Sequence, residues 1–420
     1  MILFIKKISI TLIPLSIMIA CSGLIDGKKS SVTSAVQDTI ESNEMLTSDT
    51  TEKTLVKNLS IRTGADNFEE YLPLLRNKKI GVVTNQSGIL ANKTHLVDFL
   101  LSKNIKIQSI FAPEHGFRGT ADAGEHLLDG KDNKTGLSII SLYGDNKKPK
   151  AAQLVGIDIM VFDLQDVGAR FYTYISSLHY IMEACAENNI ELMILDRPNP
   201  NGNIVDGPIL EKAYSSFVGM HAIPLLHGMT IGEYGKMING EKWLKNGAQC
   251  KLTVIPCTNY NRNMPYSLPV KPSPNLPNDQ AINLYASLCL FEGSNVSVGR
   301  GTEKQFQIYG SPYLPKTDFS FTPKPNIGAQ NPVYSGTACY GEDLAATAKV
   351  KQLEIKWLIK AYSNTADKSK FFNSFFTKLA GTKKLQEQIK NNISEESIRA
   401  SWKKGLTDFK IKRSKYLIYK

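Results

Sequence analysis

DIMVFDLQDVGARFYTYISSLHYIMEACAENNIELMILDRPNP, residues 158–200, reads as strand, helix, strand. Asp158–Phe162 and Glu191–Leu195 are short β-rich apolar runs. Between them, 173–188 places Ile175, Leu178, Ile181, Met182 and Cys185 on one side, the stripe of a core-facing helix. Upstream the order repeats, with apolar runs Ile80–Thr84, Ile105–Phe111 and Leu137–Leu142 and helical stretches at 94–102 and 149–155. Strands alternating with amphipathic helices build a parallel sheet covered on both faces, so the fold class is α/β.

Downstream, Thr230-Ile-Gly-Glu233 is a capping box that opens another helix. After about residue 250 the alternation fades. Pro-rich stretches at Pro265–Pro277 and Pro312–Pro332 mark loops, and the last seventy residues read as helices. Phe371, Phe372, Phe375, Phe376 and Leu379 are expected on one apolar face, and Ser394 followed by two glutamates starts the final helix. The expected organisation is a signal segment at 1–21, a tether at 22–54, a Rossmann-like sheet domain at 55–280 and a smaller mixed, partly helical domain at 281–420.

The amino terminus carries Lys6 and Lys7, then an apolar run from Ile8 to Ala20 that stops at Cys21. The run is too short to span a membrane and fits an export signal. Met18-Ile-Ala-Cys21 resembles a lipobox, which makes Cys21 the expected lipidation site and the protein a membrane-anchored lipoprotein, periplasmic or at the cell surface. Residues 22–54 have no aromatic residue and cannot bury enough apolar surface to offset ordering.

The net charge of +11 is uneven: residues 381–420 hold eleven Lys and Arg against four acids. A solvated helix face accounts for that run. Nucleic-acid binding, which wants basic residues interleaved with aromatics, is not expected. The five cysteines after Cys21 are odd in number and show no CxxC spacing, so they read as buried thiols.

In an open parallel sheet ligands bind beyond the carboxyl ends of the strands. Asn85 follows the first run, and Glu114, His115 and Arg118 follow the second. Asp163, Asp166, Arg170, Tyr172 and Tyr174 follow Asp158–Phe162, and Asp196, Arg197 and Asn199 follow Glu191–Leu195. Three strand ends thus aim carboxylates and arginines at one rim. Single acids after strands often cap helices, but Glu114, between Pro113 and His115, has no helix to start. A second polar cluster, Glu292 to Glu303 with Arg300 between Gly299 and Gly301, is expected to reach the same crevice. Paired carboxylates, one protonated and one ionised, are the minimal equipment for glycosidic cleavage. GxSxG and HExxH are both missing from the sequence, and a histidine beside a glutamate, as in Glu114-His115 and Glu125-His126, reads more readily as a loop hydrogen-bonder than as a metal ligand.

The ordered motifs GVVTNQSG, FAPEHGFRG, LYGDNKKP, VFDLQDVGARFYTY, LDRPNPNG, LLHGMTIGE and FEGSNVSVGRGTE resemble the DUF1343 family of exo-β-N-acetylmuramidases from about residue 60 to the C-terminus. The resemblance implies a Rossmann-like domain with a smaller C-terminal one, a pocket between them, and release of terminal N-acetylmuramic acid from peptidoglycan-derived glycan fragments, with neither a metal nor an organic cofactor. It also implies Glu114 as acid, with Asp166 or Glu292 as its partner. Muramic acid carries a lactyl carboxylate that Arg118, Arg170 or Arg300 could hold by a guanidinium fork. Phe117, Tyr172 and Tyr174 could stack on sugar, and His227 line the pocket. A sugar- or muropeptide-binding lipoprotein without turnover is the alternative.

Overall fold

The computed structural model describes residues 60–114, 116–117 and 129–420. Cys21, His115 and Arg118 therefore lie outside the described residues. The described residues all lie in one compact unit.

Seven strands make the main sheet: β1 Lys79–Thr84, β2 Lys106–Ala112, β3 Gly130–Lys131, β4 Ser138–Ser141, β5 Ile159–Asp163, β6 Glu191–Leu195 and β7 Leu252–Ile255. Their order is β3-β4-β2-β1-β5-β6-β7, parallel throughout except for the β3–β4 pair. The chain builds outward from β1 through β2 to β4, then returns and builds the other way through β5. The β1/β5 junction is the topological switch point, the place where open α/β sheets generally offer a crevice beyond the strand ends. β1 and β5 are buried at nearly every position, as strands covered on both faces must be.

The sheet is flanked by α1 Phe68–Leu75, α2 Leu96–Ser102, α3 Ala151–Leu154, α4 Tyr174–Glu187 and α5 Ile231–Gly240. α5 begins at the expected capping box, with Thr230 Oγ1 accepting from Glu233 N and Glu233 reaching back to Thr230 N.

Next come α6 Asp279–Leu288 and an antiparallel sheet of β8 Ile308–Ser311, β9 Ser320–Phe321 and β10 Cys339–Asp343, in the order β8-β10-β9. The chain closes with α7 Lys356–Asn364, α8 Phe376–Ala380, α9 Lys384–Lys390 and α10 Glu395–Ser414. Ser394 caps α10 as expected, accepting from Ser397 N. The phenylalanine stretch differs from the expected single helix face, since only Phe376 and Leu379 lie on α8. Phe371, Phe372 and Phe376 instead pack edge to face, with centroids 4.4–4.8 Å apart.

One apolar cluster runs from Val83 through α4, α5 and α6 to Trp402 and Phe409 of α10. A second covers the other sheet face around α1 and α2. Cys185, Cys250, Cys257, Cys289 and Cys339 are all free and buried. Among the described residues no helix is long and apolar enough to cross a membrane.

Candidate active site

The strand-end residues fall into two sets. The first is a buried lattice beneath the rim. Asn85, after β1, takes both Ser87 N and Ser87 Oγ on its Oδ1 and donates to the Tyr174 hydroxyl at 2.6 Å. Asp163 grips Arg197 bidentately at 2.5 and 2.9 Å, both side chains being buried. Asp196 accepts from Arg197 N, Thr230 Oγ1, Gly232 N and the Tyr419 hydroxyl. Asn199 joins Asn201 N to the Met229 carbonyl. The sequence pattern directs these polar groups at a ligand, yet in the fold they use their hydrogen-bonding capacity to bind the loops to one another.

Arg170 is a correction of the same kind. Its guanidinium donates to the carbonyls of Pro208, Ile223, Leu379 and Ala380 at 2.7–3.0 Å, and no part of it reaches solvent. Both terminal nitrogens are committed, which leaves no fork for a substrate carboxylate.

Asp166 is also buried. One oxygen accepts from Gly168 N at 2.7 Å, and Oδ1 has no partner. Desolvation pushes its carboxyl up to about 7 against the pull of the Gly168 and Val167 amides. His227 Nε2 lies 3.6 Å away, and its other nitrogen accepts from Met229 N. Burial, then Arg413 and Arg170, push that imidazole down to about 3. Asp166 cannot touch a ligand in this arrangement.

The second set faces open space. A cavity of about 60 Å³ is lined by Glu114, Tyr172, Tyr174, Asn275, Tyr285 and Arg300, among others. Glu114 leaves the end of β2 half-buried and accepts from Thr173 Oγ1 at 3.0 Å. Tyr143 hydrogen-bonds to the same carboxylate. Its burial, then the Glu114 charge, hold the phenol well above its ordinary value. Tyr172 is fixed by donation to the Pro272 carbonyl, and its ring meets those of Tyr174 and Tyr285 edge to face. Phe306 continues the wall against Tyr285.

Arg300 arrives on a loop turned by Gly299 at φ +78 and Gly301 at φ +79, a region that L side chains rarely adopt. Its Nε donates to Glu292 at 2.6 Å, and its guanidinium lies 5.0 Å from the Phe306 ring centroid. Burial works against its charge, but Glu292 outweighs that and keeps the cation firmly protonated. Glu292 also accepts from the Cys289 thiol at 3.5 Å, so this carboxylate serves Arg300. Glu303 is exposed on the same loop and does not line the cavity.

Thr173, Tyr143, Asn275 and Tyr285 lie at the cavity or on Glu114, and sequence reasoning misses all four. Tyr143 and Thr173 sit inside the motifs quoted above. Asn275 and Tyr285 fall beyond residue 250, where no periodicity marks them.

A larger cavity of about 450 Å³ lies apart, between the 208–211 segment and α9–α10, around Trp402. It shares no residue with the Glu114 cavity, and its Glu211 and Lys384 are paired at 3.0 Å. The smaller cavity brings together a carboxyl held by two hydroxyl groups, aromatic walls and a cation. Such a set suits acid–base work on a sugar bearing an anionic group.

Family models describe residues 80–280 as exo-β-N-acetylmuramidase NamZ, N-terminal, and residues 283–419 as its C-terminal part. The chain is 40% identical over 386 residues to the peptidoglycan β-N-acetylmuramidase NamZ of Bacillus subtilis, spanning 86% of this chain and 92% of that protein. Two crystal structures of DUF1343 family proteins from Bacteroides fragilis are similar to it. One is 44% identical with a TM-score of 0.81 and the other 29% identical with a TM-score of 0.72; each match covers 86% of this chain and 99% of the other.

Proposed function

The chain belongs to the NamZ exo-β-N-acetylmuramidase family, and from that membership we propose that it is a glycoside hydrolase releasing terminal β-linked N-acetylmuramic acid from the non-reducing end of peptidoglycan fragments. The observation that carries the reading to a site is Glu114, among the described residues the one strand-end carboxyl that lines a cavity beside aromatic rings and a cation.

Glu114 serves as the acid. It delivers a proton to the leaving glycosidic oxygen, which removes the need to expel an alkoxide. Thr173 and Tyr143 fix the plane of its carboxyl. Tyr172, Tyr174 and Tyr285 offer apolar edges to the sugar and keep bulk water from the reacting carbon. The second carboxylate is either Glu292, paired with the Arg300 that lines the cavity, or Asp166, buried beside His227; each would need a rearrangement before touching the sugar. The N-terminal features support export and anchoring through a lipid on Cys21, which would hold the enzyme at a periplasmic or surface-facing membrane where wall fragments are met.

The test is release of free sugar from a β-linked MurNAc–GlcNAc disaccharide by residues 55–420, beside Glu114→Gln. Release by the parent with at least a roughly hundredfold loss in the variant, the scale of one acid–base group, supports the reading. A folded parent that binds the disaccharide without cleaving it would mark a binding protein instead. Anchoring is checked by mass spectrometry of the purified membrane form for a diacylglyceryl group on Cys21.

A further inference from the structure

Muramic acid differs from glucosamine by one lactyl ether, and that ether ends in a carboxylate. An enzyme that removes only this sugar needs a group that recognises the anion. Arg197 is consumed by Asp163, and Arg170 by four backbone carbonyls, while Arg118 lies outside the described residues.

Arg300 is different in three respects. It lines the Glu114 cavity. Its Nε is engaged by Glu292, yet neither terminal nitrogen makes a hydrogen bond among the described residues. A quarter of its side-chain surface stays open. The guanidinium is also immobilised before any ligand arrives, by Glu292 on one edge and by Phe306 beneath. The free edge of a guanidinium presents two parallel N–H bonds, the geometry that matches the two oxygens of a carboxylate. Fixing the fork in advance lowers the entropy lost on binding.

We infer that Arg300 is the specificity-determining residue that takes the lactyl carboxylate of the sugar in the Glu114 cavity, with Glu292 as the positioning residue that aims its free edge; the inference rests on the muramidase reading above. Glu292 then belongs to recognition, although its charge made it a candidate for chemistry. The arrangement also explains why the arginine at the cavity wall is held in an ion pair. An unpaired arginine there would rotate among conformers and an unpaired glutamate would repel the ligand, whereas the pair presents a directed donor edge.

The test uses the full-length protein titrated with free MurNAc and with its lactyl methyl ester, which keeps the shape and removes the charge. The wild type is expected to bind MurNAc roughly 10- to 100-fold more tightly than the ester, the range of one charge-assisted bidentate contact. Arg300→Met should bring the two ligands within about twofold of each other by weakening MurNAc alone, and Arg300→Lys should keep part of the preference. Glu292→Gln should reduce the preference while leaving ester binding unchanged, because it loosens the fork without removing it. Wild type that does not prefer MurNAc over the ester, Arg300→Met that still prefers it, or Arg300→Met that weakens both ligands equally would each overturn the inference. Thermal melts accompany every variant, and if Arg300→Met does not fold, Arg300→Lys decides by the same ratio. Turnover of the disaccharide is measured separately: discrimination without cleavage would defeat the hydrolase reading and spare the assignment of Arg300, and cleavage without discrimination would do the reverse.

Discussion

Asp166 and His227 show what burial does to two titratable side chains 3.6 Å apart. Asp166 is raised from 3.8 to about 7, so between those values the folded chain holds a proton that the unfolded chain has lost. Its contribution to stability is full below pH 3.8 and is lost as pH rises through about 7. His227 is lowered from 6.5 to about 3, so its contribution is full above 6.5 and is lost as pH falls toward 3. The two slopes oppose each other from about pH 4 to 6.5. Urea melts across that window should show Asp166→Asn gaining stability relative to wild type as pH rises, and His227→Gln losing it. Each change should reach a few kcal/mol, because every tenfold difference in proton affinity between the folded and unfolded chain is worth about 1.4 kcal/mol. Parallel curves for Asp166→Asn and wild type would mean that the buried carboxyl titrates normally. Arg170 makes the other prediction at this scale. Arg170→Met removes the guanidinium donor from the carbonyls of Pro208, Leu379 and Ala380 and leaves that of Ile223 with Leu210 N as its donor. It is expected to cost about 3–5 kcal/mol in melts, whereas the affinity of the folded fraction for MurNAc should be unchanged.

The elements meet where β6, α5 and the C-terminal residues converge. Asp196, just after β6, accepts from Thr230 and Gly232 at the start of α5 and from the Tyr419 hydroxyl, which itself accepts from Cys257 N. Glu233, in the first turn of α5, accepts from Arg262 and from the amides of Ile418 and Tyr419. Two carboxylates therefore tie the last residues of the chain to the sheet. Gly232 is required because a Cβ there would stand 2.7 Å from the Asp196 carboxyl carbon. Tyr419→Phe keeps the ring and removes the hydroxyl, leaving Cys257 N without its acceptor and Asp196 short of a donor; a loss of about 1–3 kcal/mol in thermal or urea melts is expected. The capping box at Thr230 was legible because its residue types and spacing are local. The partners of Asp196 were not, since Tyr419 lies 223 positions away.

Across the whole molecule, the cluster that begins at Val83 includes Leu276, Phe306, Trp357, Phe376 and Phe409, so the sheet and the C-terminal helices share one core. Severing the chain near residue 281 would expose that shared surface on both pieces. Segments 55–280 and 281–420 expressed apart are expected to lack a cooperative melt, while 55–420 melts in one step; a sharp, independent transition from either segment would contradict this. The strands β1, β2, β4, β5 and β6 could be read from sequence within a residue or two, because hydrophobic periodicity is a property of neighbours along the chain. β7 and the three-stranded sheet escaped notice, since their strands are short and lack a regular alternation. The sequence by itself determined the α/β class and set a row of polar candidates at the strand ends, Glu114 among them as a carboxyl with no helix to cap. Only the tertiary structure decided which strand-end groups stay open to a ligand. Asp163, Asp166, Arg170, Asp196 and Arg197 stand at strand ends as Glu114 does, and as letters the arginines do not differ from Arg300. Whether a polar side chain is consumed or free depends on which distant backbone amides, carbonyls and counter-charges the fold brings within about 3 Å of it, and no local pattern encodes those partners.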